Sequence, residues 1–506
     1  MRRSLTLALA VSLIAGLGVV AATAAPAAPS APTAPSVDPA RGTITWHACS
    51  SDDSLAGFKC GTLTVPIDWD DLSNPRNASI ELAVHPATSA NRIGALTFNP
   101  GGPGESGLSL ATAIREQLPP QVRNRFDFVA WDPRGVGLSE PQLDNCLGPR
   151  AEPYEPPATG PVDWQAFAET YYEAYSQALP ACLAVNADVA PYLGTYYVIR
   201  DLEAMRIALA QKQWNFWGMS YGTRIGFRYA REFPTSLRTL ILDGSWAPNL
   251  TVTSWMNAES WNFATGQAVF SSLFGKKMAY RLQRVIDGLD KTTIMVGGQE
   301  QTRWTILSAI FTNISYQTAF PDVLDVIRLA DQALTQKDQA AAERMSKPLR
   351  RLQERANDNP NAALNINYIN CRDIGDYPEV DEIARAAEIA AANNTVTAGV
   401  NAIAKGAICA GLPQDFTYGY SPLTHNLTLP TAPVVINSIG DTRTEYVFGR
   451  TMANYLTGAS LITYDGTQHV SYRQVPSRCI SDAVTNYLLT LKRPGNLLCS
   501  YAPIQG

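Results

Sequence analysis

Residues 214–242, WNFWGMSYGTRIGFRYAREFPTSLRTLIL, constrain the fold more than any other stretch of the chain. WNFWGM is a short apolar run of strand length. RIGFRYAREF is apolar at roughly helical spacing and stops at Pro234. LRTLIL is strand-like again. Strand, helix, strand at this spacing predicts two parallel strands joined by a crossover helix. The turn between the first strand and the helix reads Gly218-Met219-Ser220-Tyr221-Gly222, a G-x-S-x-G pentapeptide. In a tight strand-to-helix turn, flanking glycines let the chains pass closely and the serine hydroxyl projects above the sheet.

The same alternation recurs along the chain. TLTVPIDW (62–69) and ASIELAVHPAT (78–88) read as an antiparallel pair, IGALTF (93–98) and FDFVAW (126–131) as buried strands. Near the C-terminus, APVVINSIG (432–440) and ASLITY (459–464) read as strands. EYVFGRTMANYL (445–456) is the helix between them, and 480–492 is a last helix. These elements predict an α/β core with a mostly parallel sheet, in two parts, 41–245 and 426–506. Residues 246–425 are helix-rich, with stretches such as QAAAERMSKPLRRLQERA and EVDEIARAAEIAAA, and read as a helical lid inserted into the core. A second insertion, 141–196, is Pro-rich and then helical.

Hydrophobic residues make up 46% of the 506, which supports a large packed core. A net charge of −5 and the lack of a basic block argue against nucleic acid as a partner. Arg2 and Arg3 precede an apolar run from Leu5 to Ala22, followed by Ala22-Thr23-Ala24. This pattern predicts a secretory signal peptide over 1–24, and an Ala/Pro-rich linker or propeptide over 25–40. No later segment has the length and apolarity of a membrane span, so no membrane association is expected after cleavage. In an oxidising compartment eight cysteines fit four disulfides. Local closure suggests Cys49–Cys60, Cys146–Cys182, Cys371–Cys409 and Cys479–Cys499, although eight cysteines allow 105 pairings. The four scattered histidines argue against a zinc site.

A serine nucleophile needs a base, and the base needs an acid to orient it. On this type of sheet the chain order is Ser, acid, His. His469, in YDGTQHVSY, follows the last core strand, whereas His425 precedes the strand expected to carry the acid. Asp441 directly follows VVINSIG and is the expected acid; Glu445, at a helix start, and Asp465, four residues before His469, are its competitors. The glycine-rich loop NPGGPGESG (99–107) follows a strand. It has no GK[ST] and no GxGxxG fingerprint, so it reads as an oxyanion loop rather than a phosphate cradle. The N–H of Tyr221, the residue after the nucleophile, is one expected oxyanion donor, and this loop is expected to supply the other.

Together these residues resemble the α/β-hydrolase serine peptidases, in particular the proline iminopeptidases and the secreted bacterial tripeptidyl aminopeptidases. The resemblance rests on NPGGPG, WDPRGVGLS (131–139), GMSYGTR, SIGDTRTE, GTQHVSY, CGTLTVPIDW and the closing Cys479…Cys499, and covers essentially the whole mature chain. It implies an α/β-hydrolase fold, with Ser220 as nucleophile, Asp441 as acid, His469 as base, and the N–H groups of Gly102 and Tyr221 as oxyanion donors. It implies that the lid roofs the site, and that peptides are trimmed from their N-termini with no metal or organic cofactor. An acidic group for the substrate α-ammonium is then expected, with Glu259, Asp373 and Asp376 as candidates. Relatives have a small residue where this chain has Glu105. That carboxylate starts the next helix, pairs with a local arginine, or meets the substrate ammonium. A carboxylesterase or lipase with the same triad is the alternative activity, and a non-catalytic binding protein is a more distant one. Oligomeric state is not legible.

Overall fold

The computed structural model describes residues 42–49, 55–144, 146, 156–356, 362–417 and 425–504. The expected signal peptide (1–24) and linker (25–40) lie outside the described residues. Ten strands form one sheet in the order β1-β2-β3-β5-β4-β6-β7-β10-β11-β12. These are β1 (Thr43–His47), β2 (Lys59–Pro66), β3 (Asn77–His85), β4 (Gly94–Asn99), β5 (Phe126–Trp131), β6 (Trp214–Met219), β7 (Leu237–Asp243), β10 (Val434–Ser438), β11 (Ser460–Asp465) and β12 (Leu497–Ser500). From β5 to β12 all neighbours pair in parallel, and β1, β2 and β3 add an antiparallel end. This is the α/β-hydrolase fold.

The central strands read as unbroken apolar runs because helices cover both faces of the sheet. Every residue of β6 and β10 is buried. One core layer gathers Phe98, Phe128, Trp217, Ile241, Ile436 and Tyr464. The opposite layer holds Trp131, Trp214, Phe216, Leu240, Leu242 and Val435.

Two edge strands escape the periodicity. β1, TITWH, is mostly exposed and hangs on β2 alone, so it carries no buried stripe. β12 is four residues long, and its Cys499 is bonded to Cys479 in the helix Arg478–Thr490. The other three pairs are Cys49–Cys60, Cys146–Cys182 and Cys371–Cys409, the four that local closure suggests.

Between β7 and β10 the chain builds the lid, from the long helix Val252–Leu289 to the helix Val396–Gly406. It also contains a short hairpin, β8 (Ile294–Val296) and β9 (Gln299–Gln301), turned through Gly297-Gly298. The lid has its own apolar core, which includes Phe263, Phe270, Phe311, Ile327 and Leu352. The helix Trp164–Val185, from the 141–196 insertion, joins it. Its Phe167 and Ala168 enter the lid core, whereas Leu179 and Cys182 pack into the sheet-side core. The two insertions therefore form one roof.

Candidate active site

Ser220 sits between β6 and the helix Gly222–Glu232 with φ +53°, a left-handed conformation that L-residues avoid. The pentapeptide explains how that turn is tolerated. A Cβ on Gly218 would run into the Gly222 carbonyl, and one on Gly222 would lie 2.5 Å from the Asn99 carbonyl oxygen. Only glycine fits either place. The Ser220 N–H donates to the Asp243 carbonyl at the end of β7 (2.9 Å), which fixes the turn from the neighbouring strand.

Asp441 follows β10 and His469 follows β11, on the strands beyond β7. Asp441 Oδ2 lies 2.9 Å from His469 Nδ1. Asp441 Oδ1 accepts from the N–H groups of Arg443 (2.8 Å) and Thr444 (3.1 Å), and Oδ2 also accepts from Thr444 Oγ1 (2.8 Å). The carboxylate is fully buried and its lone pairs are committed. A proton on Nδ1 shared with Asp441 leaves Nε2 as the basic nitrogen. His469 donates its backbone N–H to Ser315 in the lid (2.8 Å). Glu445 instead begins the helix Tyr446–Tyr455, Asp465 is exposed at the end of β11, and His425 is exposed against the Tyr455 ring.

Ser220 and His469 line one cavity of about 690 Å³, together with Pro100, Gly102, Glu105 and Met219 from the core side. Trp255, Glu259, Phe311, Tyr316 and Lys405 close it from the lid. The glycine-rich loop lies directly on the nucleophile turn: a Cβ on Gly101 would be 2.7 Å from the Met219 carbonyl oxygen and 3.2 Å from the Tyr221 nitrogen. Gly101 spends its N–H on Asn99 Oδ1 (3.1 Å), whereas Gly102 lines the cavity. The Tyr221 side chain is buried away from the solvent.

The four candidate acids separate. Asp373 does not line the cavity. Its carboxylate accepts from Thr195 N–H (3.0 Å), Thr195 Oγ1 and Tyr221 OH (2.7 Å), and lies 3.6 Å from Arg224 Nε. It is a joint between lid and core, not a substrate contact. Asp376 is exposed outside the cavity, on a φ of +64°. Glu105 does line the cavity, and the helix-start reading fails for it: the next helix is Ala111–Gln117, with no acid in its first turn. Glu105 is reached by water from the cavity yet surrounded by protein. This desolvation raises its pKa, with His469 and Arg443 acting in the opposite sense.

Glu259, from the long lid helix, is buried at the cavity wall. Its Oε1 bonds Lys405 Nζ, while its Oε2 has no hydrogen-bond partner among the described residues. Lys405 Nζ is also 3.6 Å from Glu445 Oε1 and 4.9 Å from the centre of the Trp255 ring. Burial opposes the charge on Lys405, but Glu259 and Glu445 outweigh it and hold the amine above its usual pKa. Burial raises the Glu445 carboxyl to about 8, with the Lys405 ammonium opposing the rise and the like charge of Glu259 adding to it. Nothing in the local sequence around Lys405 or Glu445 signals this cluster, which joins three separate elements. Among the described residues no group of His, Cys, Asp or Glu could hold a metal ion.

Known proteins also bear on the site. A family described as alpha/beta hydrolase fold matches residues 94–292, and one described as TAP-like protein matches 395–499. The serine protease Hip1 of Mycobacterium tuberculosis is 30% identical over 482 residues, covering 88% of each chain. The tripeptidyl aminopeptidase of Streptomyces lividans is 33% identical over 211 residues, 40% of this chain and 38% of that protein. A carboxylesterase B of Mycobacterium tuberculosis is 27% identical over 506 residues, covering 90% of each.

Proposed function

The chain belongs to the α/β-hydrolase serine peptidases, and from that premise we propose that it is an exported exopeptidase that trims short pieces from peptide N-termini. Ser220 attacks the scissile carbonyl, and His469 takes the hydroxyl proton and passes it to the leaving amine. The N–H groups of Gly102 and Tyr221 hold the tetrahedral oxyanion. Water, deprotonated by His469, then hydrolyses the acyl-enzyme. The four disulfides and the N-terminal apolar segment support export.

The observation that carries the exopeptidase reading is the Glu259–Lys405–Glu445 cluster at the cavity wall. Lys405 bonds Oε1 of Glu259 and leaves Oε2 without a hydrogen-bond partner among the described residues. A substrate α-ammonium takes that place, bonded to Oε2 of Glu259. The lid restricts the cavity to chain ends, so free N-termini are bound and internal peptide bonds are excluded.

Chromogenic tripeptide amides with free and acetylated N-termini test this reading, with Ser220→Ala as the control. Cleavage of the free form alone is expected. Equal rates on both would show an endopeptidase. The similarity to a carboxylesterase B favours a second reading, an esterase on the same triad; turnover of nitrophenyl esters with none of any amide would establish it.

A further inference from the structure

Asp243 ends β7 and its side chain is completely buried. A carboxylate in such a place is costly unless every oxygen is used. Its oxygens take the two successive backbone amides that follow the histidine: Ser471 N–H reaches Oδ1 at 2.9 Å and Tyr472 N–H reaches Oδ2 at 2.7 Å. Its carbonyl oxygen takes the Ser220 N–H at 2.9 Å. One residue thus holds the nucleophile turn and the histidine loop together. The next residue, Gly244, lies under the imidazole, where a Cβ would be 3.2 Å from His469 Cε1.

The histidine loop needs such a hold. Val470 has φ +58° and Arg473 φ +66°, so two side-chain-bearing residues flanking the clamped amides sit in left-handed conformations. For β-branched Val470 the strain is greatest. Tyr472 is pressed against Trp217 of β6, with ring centres 4.9 Å apart. We infer that Asp243 is a positioning residue, whose carboxylate clamps the strained 470–473 loop and so sets the His469 imidazole against Ser220. It is distinct from the acid of the triad, because Asp441 is the carboxylate that meets His469 Nδ1. The burial that makes the clamp dry also pushes the Asp243 carboxyl up to about 7, against the pull of the two amides.

The inference rests on Ser220 and His469 as nucleophile and base. Asp243→Asn tests it, because the amide nitrogen then faces an N–H donor and one of the two bonds is lost. On a cleaved amide substrate, kcat should fall about tenfold or more while KM stays within about twofold. Fluorophosphonate labelling of Ser220 should slow in parallel. Val470→Gly placed in the Asp243→Asn background should recover about threefold of the lost kcat, because glycine occupies that φ without strain. A folded Asp243→Asn enzyme with native kcat overturns the inference, as does a loss confined to KM or to thermal stability, or a failure of Val470→Gly to restore anything. If the Asn variant does not fold, Asp243→Ser, smaller and uncharged, is read with the same outcomes. Ser220→Ala separates the two levels: turnover surviving in it refutes the nucleophile, whereas native kcat in Asp243→Asn beside an inactive Ser220→Ala refutes the clamp alone.

Discussion

The Tyr221 hydroxyl lies 2.7 Å from Asp373 Oδ2, so the residue that follows the candidate nucleophile is bonded through its side chain to the lid. Thr195 completes the joint from the helix Thr195–Ala208, and the Arg224 guanidinium approaches the same carboxylate. Tyr221→Phe keeps the backbone N–H and removes one donor from a buried carboxylate. It should cost about 1–3 kcal/mol of stability, read by urea denaturation. Unchanged stability would mean that the joint contributes nothing to the attachment of the lid.

Asp441→Asn should lower kcat by roughly 10³- to 10⁴-fold, because the amide no longer stabilises the imidazolium or fixes its tautomer. Thr444→Val removes a single hydroxyl donor from Asp441 Oδ2. Its effect should be much smaller, about tenfold or less in kcat. Parallel kinetics on the two variants check the ranking, and equal losses would count against Asp441 as the acid.

Glu259→Gln should raise KM for peptides with a free N-terminus by about tenfold or more and leave acetylated peptides unaffected. The change also leaves Lys405 with one carboxylate in place of two. A variant that loses kcat on esters and amides alike would assign Glu259 to lid packing instead.

Asp243 also makes a prediction about pH. Its folded pKa, pushed up to about 7, stands above its ordinary value of 3.8. The folded protein therefore holds this proton more tightly than the unfolded chain does. The associated stability is fully present below about pH 4 and is lost as the pH rises through 7. Asp243→Asn abolishes that slope. The melting-temperature gap between native and variant should shrink from pH 4 to pH 8. The raised carboxyls of Glu105 and Glu445 are common to both proteins and cancel. A gap that widens with pH would contradict the assignment.

Glu105→Gln probes the remaining acid. The side chain lines the cavity, with Arg443 and His469 as neighbours. A change of more than about threefold in the ratio of rates on free and blocked peptides would assign it to substrate recognition. An unchanged ratio would leave it as a wall of the cavity.

The parallel core is legible in the sequence because buried strands read as apolar runs and the crossover helix after the nucleophile stops at Pro234. The nucleophile turn is legible for a related reason: the contacts at Gly218 and Gly222 exclude every other residue. Asp441 and His469 follow from chain order on such a sheet. Position in the chain carries no such information for the lid. Asp373 and Glu259 are indistinguishable acids in helical sequence, yet one is a joint with Tyr221 and the other faces the cavity. Lys405 and Asp243 escape notice because their partners lie 146 and 228 residues away in the chain. The edge strands β1 and β12 lack the two buried faces that make the central strands visible.

The lid leaves the sheet after β7 and returns at β10, and those strands are neighbours, with Ile241 beside Val434 and Asp243 beside Ile436. The long insertion thus leaves at the C-terminal end of β7 and returns at the N-terminal end of its parallel neighbour β10. An exchangeable cassette has that geometry: a roof of another shape could be spliced between the same two strands without disturbing the sheet below. The helix Trp164–Val185 and the Tyr221–Asp373 bond are the stitches that such a transplant would have to recut. Swapping the roof while keeping the chemistry beneath it is a route by which one hydrolytic core could serve chain ends, esters or larger substrates.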